Sequence, residues 1–367
     1  MTKVIIVQPY VPSYRVPFFS KLVSKLADSG ISCEIHAQHP SGSQALRGDA
    51  ALLNEWQVEK PTRSISIGGI SVQKSLTWRD IKSSDAVVVG LLGSSPDTYF
   101  SLASRLVHNH KVGLWGHIDS YVAPFNRFDQ LLERWQIKAG DHVFAYTSGG
   151  RRYALSAGVP ESRITTVMNT VDTSSLMSEL RTLSEGEIMN FQSRHGLIKE
   201  KTFCFIGGLD QSKRIEFLQR ALDRLWIMDP EIKLIVGGTG DQEHLLQPSI
   251  TRGQTISLGI VKSREKALMG SSSRAVVMPG RIGLVAVEAL ALNLQVLSVR
   301  GSFHAPEFEY LAEGSSLLYS DDSSDAYADL VASVAHTREE NHDPWFFPSM
   351  DSMVTNFHAG VLRLVGR

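Results

Sequence analysis

The sequence predicts two doubly wound parallel-sheet α/β domains, and three observations predict it. Short β-branched and apolar runs alternate with helical spacings along nearly all of the 367 residues. The alternation lapses over 173–195, a helical stretch of mixed charge without a strand. A chain of this length is also expected to form two domains, each able to bury a full core.

Taken in order, residues 3–8 read as a first strand, and 9–17 as a loop rich in Pro and Tyr whose single charge is Arg15. A helix follows at 18–26 and a strand at 33–37; residues 40–66 are polar and irregular, a surface excursion. The alternation then resumes, with strands at 85–90, 111–116, 142–147 and 164–169 and helices at 96–107, 128–138 and 149–157. Beyond the strandless segment, strands are expected at 202–208, 233–238, 255–259, 275–280, 295–299 and 316–320. The last helix, 348–364, is amphipathic through Met350, Met353, Val354, Phe357, Val361 and Leu362. The expected domains are therefore 1–172 and 199–345, with 173–198 as a linker and 346–367 a helix packing back toward the first domain.

Composition is that of an ordinary globular protein, 43% hydrophobic and 20% charged with net charge −1. Up to Thr170 there are 18 Lys and Arg against 13 Asp and Glu, and beyond it 19 against 25, so the first half suits an anionic partner. No apolar run reaches about 18 unbroken residues, so no membrane span is expected. MTKVIIVQPY reads as a strand rather than a leader, and Cys33 and Cys204 lie in buried strands of different halves, where a disulfide is not expected; a cytoplasmic protein is the default. The chain holds no Asp-x-Asp, no cysteine cluster, no His-Glu-x-x-His, no Gly-x-Ser-x-Gly and no Walker A pattern, which argues against a metal site, a serine hydrolase and a P-loop enzyme.

Chemistry concentrates in 275–299, AVVMPGRIGLVAVEALALNLQVLSV, which reads as strand, glycine turn, helix and strand. Glu288 is the one charge between Arg281 and Arg300, and a lone charge in an apolar helix calls for a partner. If the helix opens near Gly283, the N–H groups of Gly283, Leu284 and Val285 leave its positive end, and Gly280 and Gly283 give a phosphate room to approach. Glu288 would then accept from a ribose diol; the alternative is a core helix whose Glu reaches solvent or an arginine. Two sheets facing one another would place a cleft at their carboxyl ends, where Arg15, His117, Asn169, Lys213 and Glu288 all fall.

These residues resemble family 4 glycosyltransferases. PYVPSYRVPFF is similar to the acceptor-domain opening of a polysaccharide-assembly branch, and YTSGGRRYALSAGVPESRITTVMNTVDT to the end of that domain. FIGGLDQSKRIEFLQRAL is similar to the donor-phosphate loop, MPGRIGLVAVEALALNLQVLSV to the donor-binding signature, and HAPEFEYLAEG to the run that follows it. The resemblance implies the GT-B fold, two facing Rossmann-like domains with a cleft between them, and a retaining, metal-independent hexosyltransferase. It implies a nucleotide diphosphate sugar as donor, a saccharide or lipid-linked acceptor, a place in polysaccharide or glycoconjugate biosynthesis, and no cofactor.

Carried over by position, Gly283 and Leu284 would present N–H groups to the pyrophosphate, flanked by Gly207, Gly208, Ile282 and Val285. Lys213, with Arg214, would contact the diphosphate; Glu288 would hold the ribose; His117 would lie beside the transferring carbon. Asn169 and Asp172 match an Asn-x-x-Asp that is more structural than catalytic. Tyr14, Arg15 and Asp119 are the acceptor-side candidates. Two positions depart from the family. Gly280 stands where its first signature Glu belongs, with Arg281 beside it as a substitute donor contact, and Gly208 stands where an arginine often precedes the phosphate loop.

Each residue has a plainer alternative. Lys213 or Arg15 would be solvated, His117 hydrogen-bonded in a turn, and Arg151 and Arg152 merely surface charges. Leu131, Leu132, Trp135 and Ile137 suit core packing better than a membrane surface, though peripheral contact of the first domain with the inner face of a membrane stays open. No nucleic-acid partner is expected. The rival functions are a nucleotide-sugar-binding protein without transfer activity and a GT-B-fold nucleotide-sugar epimerase.

Overall fold

The computed structural model describes residues 1–40, 50–51, 53–60, 63–67, 70–91, 95–117, 127–338 and 342–367. Asp119 lies outside them. The chain divides into two units, Met1–Asp172 with Pro348–Arg367, and Thr173–Phe347.

In the first unit the strands are β1 (Thr2–Val7), β2 (Ile31–Ala37), β3 (Gln57–Glu59), β4 (Arg63–Ile67), β5 (Ile70–Lys74), β6 (Ala86–Gly90), β7 (Lys111–Gly116), β8 (His142–Ala145) and β9 (Ile164–Thr166). Its helices are α1 (Val16–Asp28), α2 (Trp78–Lys82), α3 (Pro96–Ser104), α4 (Arg127–Ala139) and α5 (Ser148–Ser156). Seven strands form one sheet in the order β3-β2-β1-β6-β7-β8-β9, and β4 and β5 form a separate antiparallel pair that starts within the stretch 40–66 expected to be irregular and runs past its end. Every pairing in the large sheet is parallel. Helices cover both faces of such a sheet, so its strands read as continuous apolar runs: Ala86–Val89 of β6 are wholly buried.

The second unit opens with α6 (Ser174–Thr182) and α7 (Glu185–His195). The segment 173–198, read from sequence as an inter-domain link, is built into this unit: Leu176, Phe191 and Leu197 join its core, and Arg264 pairs with Glu179 and Glu187. There follow β10 (Thr202–Ile206), α8 (Ile215–Met228), β11 (Lys233–Gly237), α9 (Gln247–Thr251), β12 (Thr255–Ser257), α10 (Ser263–Ser271), β13 (Ala275–Val277), α11 (Val285–Ala291), β14 (Gln295–Val299), β15 (Leu317–Ser320) and α12 (Ser324–His336). Its sheet runs β12-β11-β10-β13-β14-β15, again parallel throughout. The winding reverses between the neighbours β10 and β13. Loops at the carboxyl ends of such a pair diverge and leave room for a ligand.

Finally α13 (Met350–Leu364) lies on the first unit. Met350, Met353, Val354, Phe357, Val361 and Leu364, spaced by three and four residues, are all buried there. Cys33 and Cys204 are free and buried, one in each unit. Among the described residues no helix is long and apolar enough to cross a membrane.

Candidate functional site

The reversal point of the second sheet is where the sequence-singled residues meet. The chain leaves β10 through Gly207–Lys213 and leaves β13 through Met278–Leu284, and the two loops dock on each other. The Arg281 N–H donates to the Ser212 carbonyl at 2.8 Å. Gly280 makes the contact feasible, because a Cβ there would stand 2.4 Å from the Lys213 carbonyl carbon and from the Ser212 oxygen. The Asp210 carboxylate holds the loop from below, accepting from the Ser212 N–H at 2.8 Å and from its Oγ at 2.5 Å. The loop after β11 is stitched on: Leu209 N–H donates to Thr239 O at 3.0 Å, and Gly238, at φ +154°, faces Gly207 O where a Cβ would fall 1.9 Å away.

Lys213 is partly buried, and its Nζ donates to the Arg281 carbonyl. Burial pushes this ammonium down to about 8; Asp210 acts to raise it and Arg281 to lower it. Among the described residues Arg281 has no acidic partner. His304 packs beside the same loop: its Nδ1 accepts the Ile282 N–H at 3.2 Å while Ala305 N–H donates to Ile282 O at 2.7 Å. Burial, with Lys213 and Arg281 nearby, lowers His304 to about 4, so near neutrality its Nδ1 lone pair stays available for that bond.

Helix α11 begins at Val285, two residues beyond the expected opening near Gly283. Among the described residues the N–H groups of Gly283, Leu284 and Val285 donate to no protein acceptor, so the loop offers three amides beside the Lys213 and Arg281 cations. Glu288 has found a partner that its sequence neighbourhood hides, Lys266 of α10 at 2.5 Å, with its side chain 16% exposed. A ribose would thus meet a carboxylate already paired through one oxygen. Arg214, at φ +58°, is turned away: it pairs with Asp322 at 2.6 Å and lies 4.3 Å over the Phe217 ring. It is not a free phosphate ligand.

In the first unit Arg15 is 5% exposed, which rules out the surface reading. Its guanidinium sits among aromatic rings, 5.2 Å from Trp115, 5.4 Å from Tyr14 and 5.7 Å from Tyr146, and its polar contacts are Tyr146 Oη at 3.5 Å and Met353 Sδ at 3.9 Å. His117 follows β7 directly, its ring 4.7 Å from that of Tyr146. The structure therefore brings Arg15, Tyr14 and His117 to one end of this sheet through Tyr146 and Trp115, two aromatics that the sequence reading did not single out. Asn169 is buried, its N–H on Tyr146 O at 2.8 Å. Arg151 pairs with Glu161. On α4, Ile137 is buried but Leu131 and Trp135 are exposed, so core packing accounts for only part of that helix.

Residues 190–344 match the sequence model of the family described as Glycosyl transferases group 1. An uncharacterized glycosyltransferase of Methanocaldococcus jannaschii is 31% identical over 123 residues, 31% of either chain, so this chain spans about a third of the length of that curated relative. Among solved structures, a glycosyltransferase from Rickettsia africae superposes with TM-score 0.61 at 14% identity, covering 100% of this chain and 93% of that one. Anabaena HepE in complex with UDP gives 0.62 at 13%, over 100% and 97%. The UDP-GlcNAc 2-epimerase of Methanocaldococcus jannaschii gives 0.56 at 14%, over 96% and 98%. The fold is that of the GT-B enzymes, two parallel-sheet α/β units of seven and six strands. The stretch that matches the group 1 glycosyltransferase model lies within the second unit.

Proposed function

We propose that the protein is a retaining, metal-independent hexosyltransferase that moves a sugar from a nucleotide diphosphate sugar to a saccharide or lipid-linked acceptor. The observation that carries this reading is the docking of the Lys213 loop on Gly280, which collects one depressed-pKa lysine and three unpaired amides at the reversal point of the second sheet. The chemical task is to stabilise a departing diphosphate, and fixed donors need no reorganisation to do so. Lys213 and the amides of Gly283, Leu284 and Val285 take the phosphates, Glu288 the ribose, with Gly207, Gly208, Arg281 and Ile282 shaping the loop. UDP in the HepE complexes supports a nucleotide sugar as donor. His117 serves the reacting sugar, and Arg15 and Tyr14 serve the acceptor. Polysaccharide or glycoconjugate assembly on the cytoplasmic side is the setting that fits, and exposed Leu131 and Trp135 suit contact with a membrane surface.

Two expected results test the donor site. Lys213→Ala is expected to weaken binding of its preferred nucleotide sugar about ten- to a hundredfold, one charge-assisted contact. Titration calorimetry against UDP-, GDP-, ADP- and dTDP-sugars reads this, and unchanged affinity for all four abandons the phosphate assignment. The second is a pH dependence. A diphosphate prefers the protonated lysine, so affinity is highest below the free-state value of about 8 and falls above it, about tenfold per pH unit until the bound-state pKa is reached. Lys213→Arg should erase the break, and a flat profile in the parent protein speaks against the role.

A 2-epimerase also shares the fold, and donor conversion without any acceptor would favour that reading.

A further inference from the structure

We infer that the second unit holds another anion site, at the amino-terminal edge of its sheet, built on Arg274 and Arg338 and taking a small organic phosphate. Arg274 directly precedes β13, Gln295 opens β14, and Ser315 precedes β15, so the site lies at the opposite strand ends from Lys213. Arg274, Gln295, Ser315, Arg338, His342 and Trp345 line a cavity of about 360 Å3.

Arg274 is the decisive residue. It is 9% exposed, its Nε meets no partner, and among the described residues none of its side-chain nitrogens reaches a carboxylate or carbonyl. Arg338 is likewise without an acidic partner among the described residues, and none of the described residues that line the cavity is Asp or Glu. A buried guanidinium with no counter-charge is costly, and an anion from outside removes that cost.

The walls are already in place. Trp345 Nε1 donates to Ser315 Oγ at 3.0 Å, Gln295 Nε2 to Ser315 O at 2.7 Å, and the His342 ring stacks on Trp345 at 3.9 Å. Two guanidinium forks suit more than one negative charge, which a phosphate monoester supplies and a single carboxylate does not. The apolar side, Leu330 and Val334, leaves room for an organic portion. Nothing in this argument depends on the transferase reading.

The test is thermal denaturation of the full chain with glucose 6-phosphate as probe, and glucose at matched ionic strength as control. The midpoint is expected to rise with probe concentration in the parent protein and equally in Lys213→Ala. Arg338→Ala, an exposed position that leaves the fold intact, should weaken the response at least about tenfold. Arg274→Met should abolish it while melting no lower than the parent, since it removes an uncompensated charge. The inference is overturned by no response in the parent, by an equal response to glucose, by loss of the response in Lys213→Ala, or by its survival in Arg338→Ala.

Discussion

Gly280→Ala is expected to disable donor binding and to destabilise the second unit by about 1–3 kcal/mol, the usual cost of forcing one carbon into a closed contact. The added Cβ would stand 2.4 Å from the Lys213 carbonyl carbon and 2.5 Å from its Cα. Both are backbone atoms, so no side chain can swing aside. Relief requires the Lys213 loop to move off, and with it go the Ser212–Arg281 hydrogen bond and the hold of Nζ on the Arg281 carbonyl. Gly280→Glu, which supplies the carboxylate expected from the family that the sequence resembles, should fare worse, because a longer side chain has to pass the same backbone atoms of Ser212 and Lys213. Calorimetry of nucleotide-sugar binding, paired with thermal denaturation, reads both effects. An alanine variant that binds and melts like the parent refutes the docking of these loops as the basis of the site.

Phe357→Ala is expected to cost about 3–5 kcal/mol, the range for a large aromatic removed from a closed core. The ring is fully buried, stacked on Phe144 at 4.5 Å and set edge-on to Trp115 at 5.0 Å and Phe18 at 5.4 Å. The loss falls on the first unit, because α13 belongs to it. Urea unfolding followed by tryptophan emission should show an earlier transition while the second unit unfolds at its former midpoint, and a single unshifted transition contradicts the assignment of α13. Arg15 should feel this change too, since Phe18, Trp115 and Met353 of the same cluster surround its guanidinium.

The strands were legible because parallel strands covered on both faces read as unbroken apolar runs, as in β6, β10 and β13. The apolar spacing of α13 was legible for the same kind of reason. What escaped depends on approach between distant segments. Helices α6 and α7 read as a link because they lack a strand, yet Leu176 and Phe191 bury against residues further along the chain. Glu288 looked solitary because Lys266 stands 22 residues before it. Gly280 read as a missing carboxylate, whereas its role lies in letting the backbone of Ser212 and Lys213 come close. His304 carried no signal beyond its place in a familiar run, and its clamp on Ile282 exists only once that run has folded back.

The clasp of α13 also sets an order of events during synthesis. Segment 173–347 contains all of the second unit, so that half is complete in sequence as soon as it leaves the ribosome. The first unit emerges earlier but lacks the helix that closes its aromatic cluster around Phe357, and Arg367 beyond that helix, which reaches Ser29 O at 2.8 Å and Thr2 Oγ1 at 2.9 Å, also follows the second unit in the chain. The half that is translated first is thus completed only after the second unit has been made, and until α13 follows it exposes Phe18, Trp115 and Phe144 to any chaperone that surveys nascent chains.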